Sequence, residues 1–217
     1  MVLDAERRQI VEHGRKLRPD GLVVATSGNI SVRSGDLVAV TPSGVDYDEL
    51  TAEQVGVHRL DGTAVEAQLA PTTEMPLHLA IYDRTEAQAV VHTHSTAATV
   101  VSTLVDELPP IHYLVALLGG PVRVAPYATY GTEELAADVV SALAGRTACI
   151  MANHGAVAVG GTLAEAYTRA LYLEWLCEVW LRARAHGRPR LLPPAEIERV
   201  SRKLAEYGSR AYRTSSD

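Results

Sequence analysis

The sequence predicts an α/β domain in which helices cover a central sheet with substantial antiparallel pairing. Three observations carry this. Runs of β-type residues alternate along the chain with amphipathic stretches, so strands and helices intermingle. Many links between the β-type runs are too short for helical crossovers, which favours antiparallel neighbours. The 217 residues, 47% hydrophobic and 21% charged, suit one globular domain spanning 1–217 with a full core.

Val2, Ile10, Val11 and Leu17 form an apolar stripe that makes residues 2–17 a helix, ended by Pro19-Asp20-Gly21. Short β-rich runs follow at 29–33, 36–41 and 55–60, separated by Gly and Pro turn signals. Residues 74–83 read as a short helix that tolerates Pro76 in its first turn. A strand at 88–93 leads into a helix capped by Ser95 or Thr96. Gly131-Thr132 opens another helix, with Glu133 and Glu134 at its positive end. Residues 147–159 are two β-type runs broken at Asn153-His154-Gly155. The longest helix, 162–186, opens on a capping box, Thr162-Leu163-Ala164-Glu165. Leu171, Leu173, Trp175, Leu176, Val179, Trp180 and Leu181 occupy most of its circumference, so it is buried on two sides, within the chain or against another copy. A Pro-rich link at 188–194 precedes a final helix, about 195–207, and residues 195–217 read as that helix plus a mobile tail.

Several function classes fall away on composition. A net charge of −6 argues against a nucleic-acid partner, which calls for a basic face. No run of eighteen apolar residues offers a membrane span. The first seventeen residues are charged from position 4 and hold no apolar signal core, so a cytoplasmic location is expected. Two cysteines, Cys149 and Cys177, cannot build a disulfide framework.

His92-Thr93-His94 is the sharpest chemical signal. In a strand, residues i and i+2 face the same way, so both imidazoles project together from an apolar run. A zinc ion satisfies such a pair, with a third protein ligand and an open fourth position if the site is catalytic. His154, in the Gly-flanked break, is the third candidate. A lone H-x-H also fits two unrelated surface histidines, and His154 also fits a turn residue held by backbone bonds. His13, His58, His78, His112 and His186 lack a paired partner and read as structural. Glu74 follows Pro71-Thr72-Thr73 at a helix start, where the dipole favours a carboxylate. It is either a solvated first-turn residue or a carboxylate beside the metal that turns general base.

Thr26-Ser27-Gly28-Asn29 and Thr41-Pro42-Ser43-Gly44 are two Gly/Ser turns whose N–H and hydroxyl groups can nest an anion. Thr72 and Thr73, at a helix start, add a third such element. Each is an ordinary turn sequence by itself. Three ahead of a candidate zinc site point to a phosphorylated substrate, and no Walker or Rossmann fingerprint points to a nucleotide.

Together the stretches SGNIS at 27–31, TPSG at 41–44, PTTEMPLH at 71–78, VVHTHS at 90–95, IHYLVALLGG at 111–120, VAPYATYGT at 124–132 and ANHG at 152–155 resemble the class II aldolase/adducin family. The similarity is strongest to its L-fuculose-phosphate aldolase branch. It implies a three-layer α/β/α sandwich with a largely antiparallel sheet, assembled as a homotetramer with active sites at subunit interfaces. It also implies a zinc-dependent lyase that cleaves a ketose 1-phosphate, such as L-fuculose 1-phosphate, to dihydroxyacetone phosphate and an L-lactaldehyde-like aldehyde. On this resemblance His92, His94, His154 and Glu74 bind the metal, and Glu74 becomes the base. Gly28, Asn29, Ser43, Gly44, Thr72 and Thr73 hold the phosphate. Tyr113 matches a tyrosine that protonates the aldehyde oxygen, and Tyr207 a further active-site tyrosine near the C-terminus. Tyr130 stands where a phenylalanine is usual. Sister epimerases usually carry Asp at the position of Glu74, dehydratases and decarboxylases share the scaffold, and adducin-type assembly modules typically lack the full ligand set.

Overall fold

The computed structural model describes residues 1–207, with Tyr207 described in its backbone alone; the tail beyond lies outside the described residues. In chain order the elements are α1 (Asp4–Leu17), β1 (Asn29–Ser34), β2 (Leu37–Val40), β3 (Gly56–Arg59), β4 (Ala64–Glu66), α2 (Met75–Arg84), β5 (Ala89–Thr93), α3 (Thr96–Ser102), β6 (Glu107–Leu108), a 3-10 helix (Tyr113–Leu118), β7 (Val122–Ala125), α4 (Glu133–Ala142), β8 (Ala148–Met151), β9 (Gly155–Gly160), α5 (Leu163–Ala185) and α6 (Pro194–Tyr207). The strands join in one sheet, ordered β4-β3-β2-β1-β5-β9-β8-β7-β6.

That sheet is mixed, where the sequence led to the expectation of a largely antiparallel one. β7 and β8 pair in parallel, while the remaining pairings are antiparallel. The physical reason is the connection between β7 and β8, which contains α4 and is long enough to return the chain in the same direction. β7 itself is short and carries Arg123 within it, so its periodicity is weak. β4 and β6 are shorter still and carry equally little pattern.

Alternation along the central strands feeds two separate apolar clusters. Ile30, Val91, Ile150 and Ala158 pack with Ile10 and Leu17 of α1, Val101 of α3 and Leu173 of α5. Val38, Val90, Cys149 and Val157 pack with Leu77 and Ile81 of α2 and Leu135 and Val139 of α4. Since successive strand side chains point to opposite faces, the two clusters draw their strand residues from opposite faces of the sheet. Among the described residues, no helix is long and apolar enough to cross a membrane.

α5 starts where its capping box predicts, with Thr162 accepting from the Glu165 N–H at 3.2 Å. Its buried residues, including Ala166, Ala170, Leu173, Cys177 and Trp180, follow a three-to-four spacing. Leu171 and Trp175 stay 37% and 41% exposed, so within this chain the helix buries one stripe. α5 also caps α3. Ser95 holds the N-cap position without a side-chain bond, and the Glu174 carboxylate instead accepts from the Ala97 and Ala98 N–H groups at 2.7 and 2.8 Å. Glu174→Ala is expected to cost at least about 1.5–3 kcal/mol by orphaning those donors. Denaturant unfolding checks this, and an unchanged midpoint would show that water replaces the carboxylate.

Candidate metal centre and adjoining cleft

Three parts of the fold converge at one end of the central strands. His92 lies on β5, and His94 one residue past its end, on the face that packs against α2 and α4. Glu74 is the N-cap residue of α2. It is held there by its own N–H, which donates to Thr72 Oγ1 at 3.3 Å. His154 sits in the β8–β9 turn, where Asn153 takes a left-handed φ of 54° and the His154 N–H reaches Met151 O at 3.2 Å. Two glycines permit the close approach. A Cβ on Gly155 would lie 2.1 Å from Thr93 O, and one on Gly28, already at φ +75°, would lie 2.7 Å from His92 O.

The donor atoms of Glu74, His92, His94 and His154 all lie within 4.8 Å of one another. His92 Nε2 is 2.9 Å from His94 Nε2 and 3.0 Å from Glu74 Oε2. His154 Nε2 is 3.4 Å from Glu74 Oε1. His92 Nδ1 donates to Ala156 O at 2.9 Å, which turns Nε2 into the group. Burial, reinforced by His92 and His154, pushes His94 down to about 3, and burial lowers His154 as well. Burial would raise Glu74, but His92, the Asn29 amide and His154 outweigh it and hold the carboxyl well below its usual range. Glu74 Oε1 is buried and, among the described residues, accepts no hydrogen bond. Three imidazole nitrogens converging on a buried carboxylate fit a divalent cation, so these four residues could hold a metal.

Beside this group opens a cleft of about 430 Å³. Gly28, Asn29, Ser43, Gly44, Thr72, Thr73, Glu74, His94 and His154 line it, so the structure brings together most of the residues singled out in the sequence. Backbone pairing explains how. Thr72 N–H donates to Thr41 O and Ser43 N–H to Ala70 O, both at 3.0 Å, which ties the TPSG turn to the PTTE segment. No arginine or lysine lines the cleft among the described residues. An anion there would depend on backbone N–H groups, hydroxyls and any bound cation.

Some expected residues are elsewhere. Tyr113 lies on the 3-10 helix, 46% exposed, beside Ile111, Arg190 and Leu192 and outside the cleft lining. The side chain of Tyr207 lies outside the described residues. Tyr127, Tyr130 and Asn153 line the cleft. Tyr127 and Asn153 have no site role in the sequence reading, although both lie inside stretches that carry the family resemblance, VAPYATYGT and ANHG. Asn29 lines the cleft but turns its amide inward, with Nδ2 donating to Glu74 Oε2 at 2.9 Å and Oδ1 meeting His78 Nε2.

Fold and site define a class: α/β proteins with a mixed sheet that set three histidines and a glutamate at the head of a polar cleft. The chain belongs to the class II aldolase family, since residues 8–181 match the family described as Class II Aldolase and Adducin N-terminal domain. It is 39% identical over 211 residues to the 5-deoxy-D-ribulose 1-phosphate aldolase of Bacillus thuringiensis serovar kurstaki, covering 96% of this chain and 99% of that one. It is 37% identical to the L-fuculose phosphate aldolase of Escherichia coli K12, covering 94% and 95%. A solved L-fuculose 1-phosphate aldolase superposes with a TM-score of 0.91 at 36% identity, covering 94% of this chain and 98% of that one. These relatives are named aldolases, which are lyases, and class II aldolases are metal-dependent.

Proposed function

We propose that the protein is a zinc-dependent aldolase that reversibly cleaves a ketose 1-phosphate to dihydroxyacetone phosphate and a short aldehyde. One observation carries this reading: Glu74 meets three histidine nitrogens at the head of a cleft lined by Gly28, Ser43, Gly44, Thr72 and Thr73. When bound, the cation supplies Lewis-acid polarisation of the substrate carbonyl. The glycine and threonine turns seat the phosphate, which orients the three-carbon half of the substrate. In the condensation direction Glu74 takes the proton from the carbon next to the polarised carbonyl and holds it at the carboxylate. The electron pair left behind attacks the aldehyde carbon, and Tyr113 gives a proton to the aldehyde oxygen. Cleavage reverses these steps.

Tyr113 is exposed and outside this chain's cleft, so its role requires a neighbouring subunit. The partly exposed Trp175 and Leu171 on α5, with His112 packed edge-on against Trp175, support an interface between subunits there, and a homotetramer is the assembly we propose. The two apolar clusters on opposite faces of the sheet support the three-layer α/β/α reading.

L-fuculose 1-phosphate and 5-deoxy-D-ribulose 1-phosphate share the phosphorylated three-carbon half and differ in the aldehyde released. The test is release of dihydroxyacetone phosphate from each, using untreated, chelated and zinc-restored protein. Release that vanishes on chelation and returns with zinc is the expected result, and the ratio between the two substrates ranks them. No release from either by metal-loaded protein would replace the aldolase with a sister dehydratase, decarboxylase or epimerase.

A further inference from the structure

Behind Glu74, on the side away from the cleft, runs a buried polar chain. Asn29 Nδ2 donates to Glu74 Oε2 at 2.9 Å. Asn29 Oδ1 makes a short hydrogen bond with His78 Nε2. His78 Nδ1 lies 2.6 Å from Ser31 Oγ, and Ser31 Oγ lies 2.6 Å from the Tyr82 hydroxyl. Glu74, Asn29, His78, Ser31 and Tyr82 are all buried. His78, Ser31 and Tyr82 do not line the cleft, so they do not touch a substrate bound there.

We propose that His78 is a positioning residue for Glu74: by donating from Nε2 to Asn29 Oδ1 it fixes which end of the Asn29 amide meets the carboxylate. Asparagine has a donor end and an acceptor end of nearly equal size, and a half-turn exchanges them. The ionised carboxylate only accepts, so a flipped amide would set oxygen against oxygen. The same flip would set the NH₂ group against the His78 Nε2–H. Both ends of Asn29 are therefore specified, one by the carboxylate and one by His78.

The tautomer of His78 is specified in turn. Asn29 Oδ1 only accepts, so the proton of the neutral ring is on Nε2 and Nδ1 accepts from the Ser31 hydroxyl. Tyr82 then donates to Ser31, and every hydrogen in the chain points towards Glu74. His78 is fully buried and no carboxylate touches its ring among the described residues, which favours the neutral form. With Oε2 held by Asn29, Oε1 is the oxygen left to take a proton, and among the described residues it accepts no hydrogen bond.

This inference rests on the reading of Glu74 as the base, and the experiment separates the two. In metal-free wild-type protein, ¹⁵N–¹H correlation spectra of the His78 ring should show Nε2 protonated and Nδ1 bare; a proton on Nδ1 would overturn the assignment without any variant. In metal-loaded protein, exchange of a dihydroxyacetone phosphate C–H for deuterium reads proton abstraction directly. His78→Leu should retain zinc and KM and lose roughly ten- to a hundred-fold in kcat. His78→Gln, which keeps an N–H donor near the Nε2 position, should recover most of that loss. Equal losses in the two variants, or none in either, would refute the positioning role. If His78→Leu does not fold, Ser31→Ala replaces it, with a smaller loss in kcat at constant KM expected and wild-type kcat counting against the proposal. Near-normal exchange in Glu74→Gln would remove the base reading itself. Wild-type kcat in His78→Leu beside an inactive Glu74→Gln would remove the positioning role alone.

Discussion

Glu74→Gln is expected to lower turnover by roughly a hundred- to ten-thousand-fold, the usual range for a lost general base, while zinc stays bound. On the proposed ligand set the metal survives because His92, His94 and His154 would supply three nitrogen ligands, enough for a catalytic-type zinc site. The fold survives because the glutamine carbonyl can accept from Asn29 Nδ2 where Glu74 Oε2 now does. What disappears is the second oxygen, Oε1, the buried acceptor that no hydrogen bond engages. Two measurements on one preparation settle it: zinc content by elemental analysis, and deuterium incorporation into dihydroxyacetone phosphate in D₂O. Normal incorporation with normal zinc would move the base elsewhere in the cleft.

His92→Ala is expected to abolish metal retention. His92 is the fully buried member of the group, and the Ala156 carbonyl aims its ring. Outer-sphere partners alone change metal affinity ten- to a hundred-fold, so loss of a ligand should weaken binding by about a hundred-fold or more. After dialysis the variant should hold little zinc, and added zinc should raise the melting temperature of wild-type protein but not of the variant. Full zinc occupancy in His92→Ala would strike His92 from the ligand set.

The candidate metal group was legible because two of its histidines lie two residues apart at the end of a β-type run and its turn histidine is flanked by Gly155. The glutamate was legible because the residues before it mark a helix start. The support behind it was not. His78 looks like one more apolar-context histidine on α2, and its partners Asn29 and Ser31 are 49 and 47 residues away. Only the packing of α2 on the sheet, which sets His78 against Asn29 and Ser31 of β1, brings them together. The parallel crossover was hidden for a similar reason, since it depends on a four-residue strand with little pattern of its own. Glu174 shows the same limit: Ser95 has the right chemistry for the α3 cap, yet a carboxylate 77 residues from Ala97 occupies the role.

The parallel pair has a consequence for how the site can change. Because β7 and β8 run the same way, the segment leaving each emerges at the same edge of the sheet, and the Ala152 N–H still reaches Ala125 O at 3.0 Å there. One segment carries Tyr127 and Tyr130, the other Asn153 and His154. The tyrosines hang on a surface connection leading into α4, whereas His154 is fixed between two sheet strands. The part of the cleft wall that carries Tyr127 and Tyr130 can therefore change in length and side chains while β8 and β9 keep His154 in place.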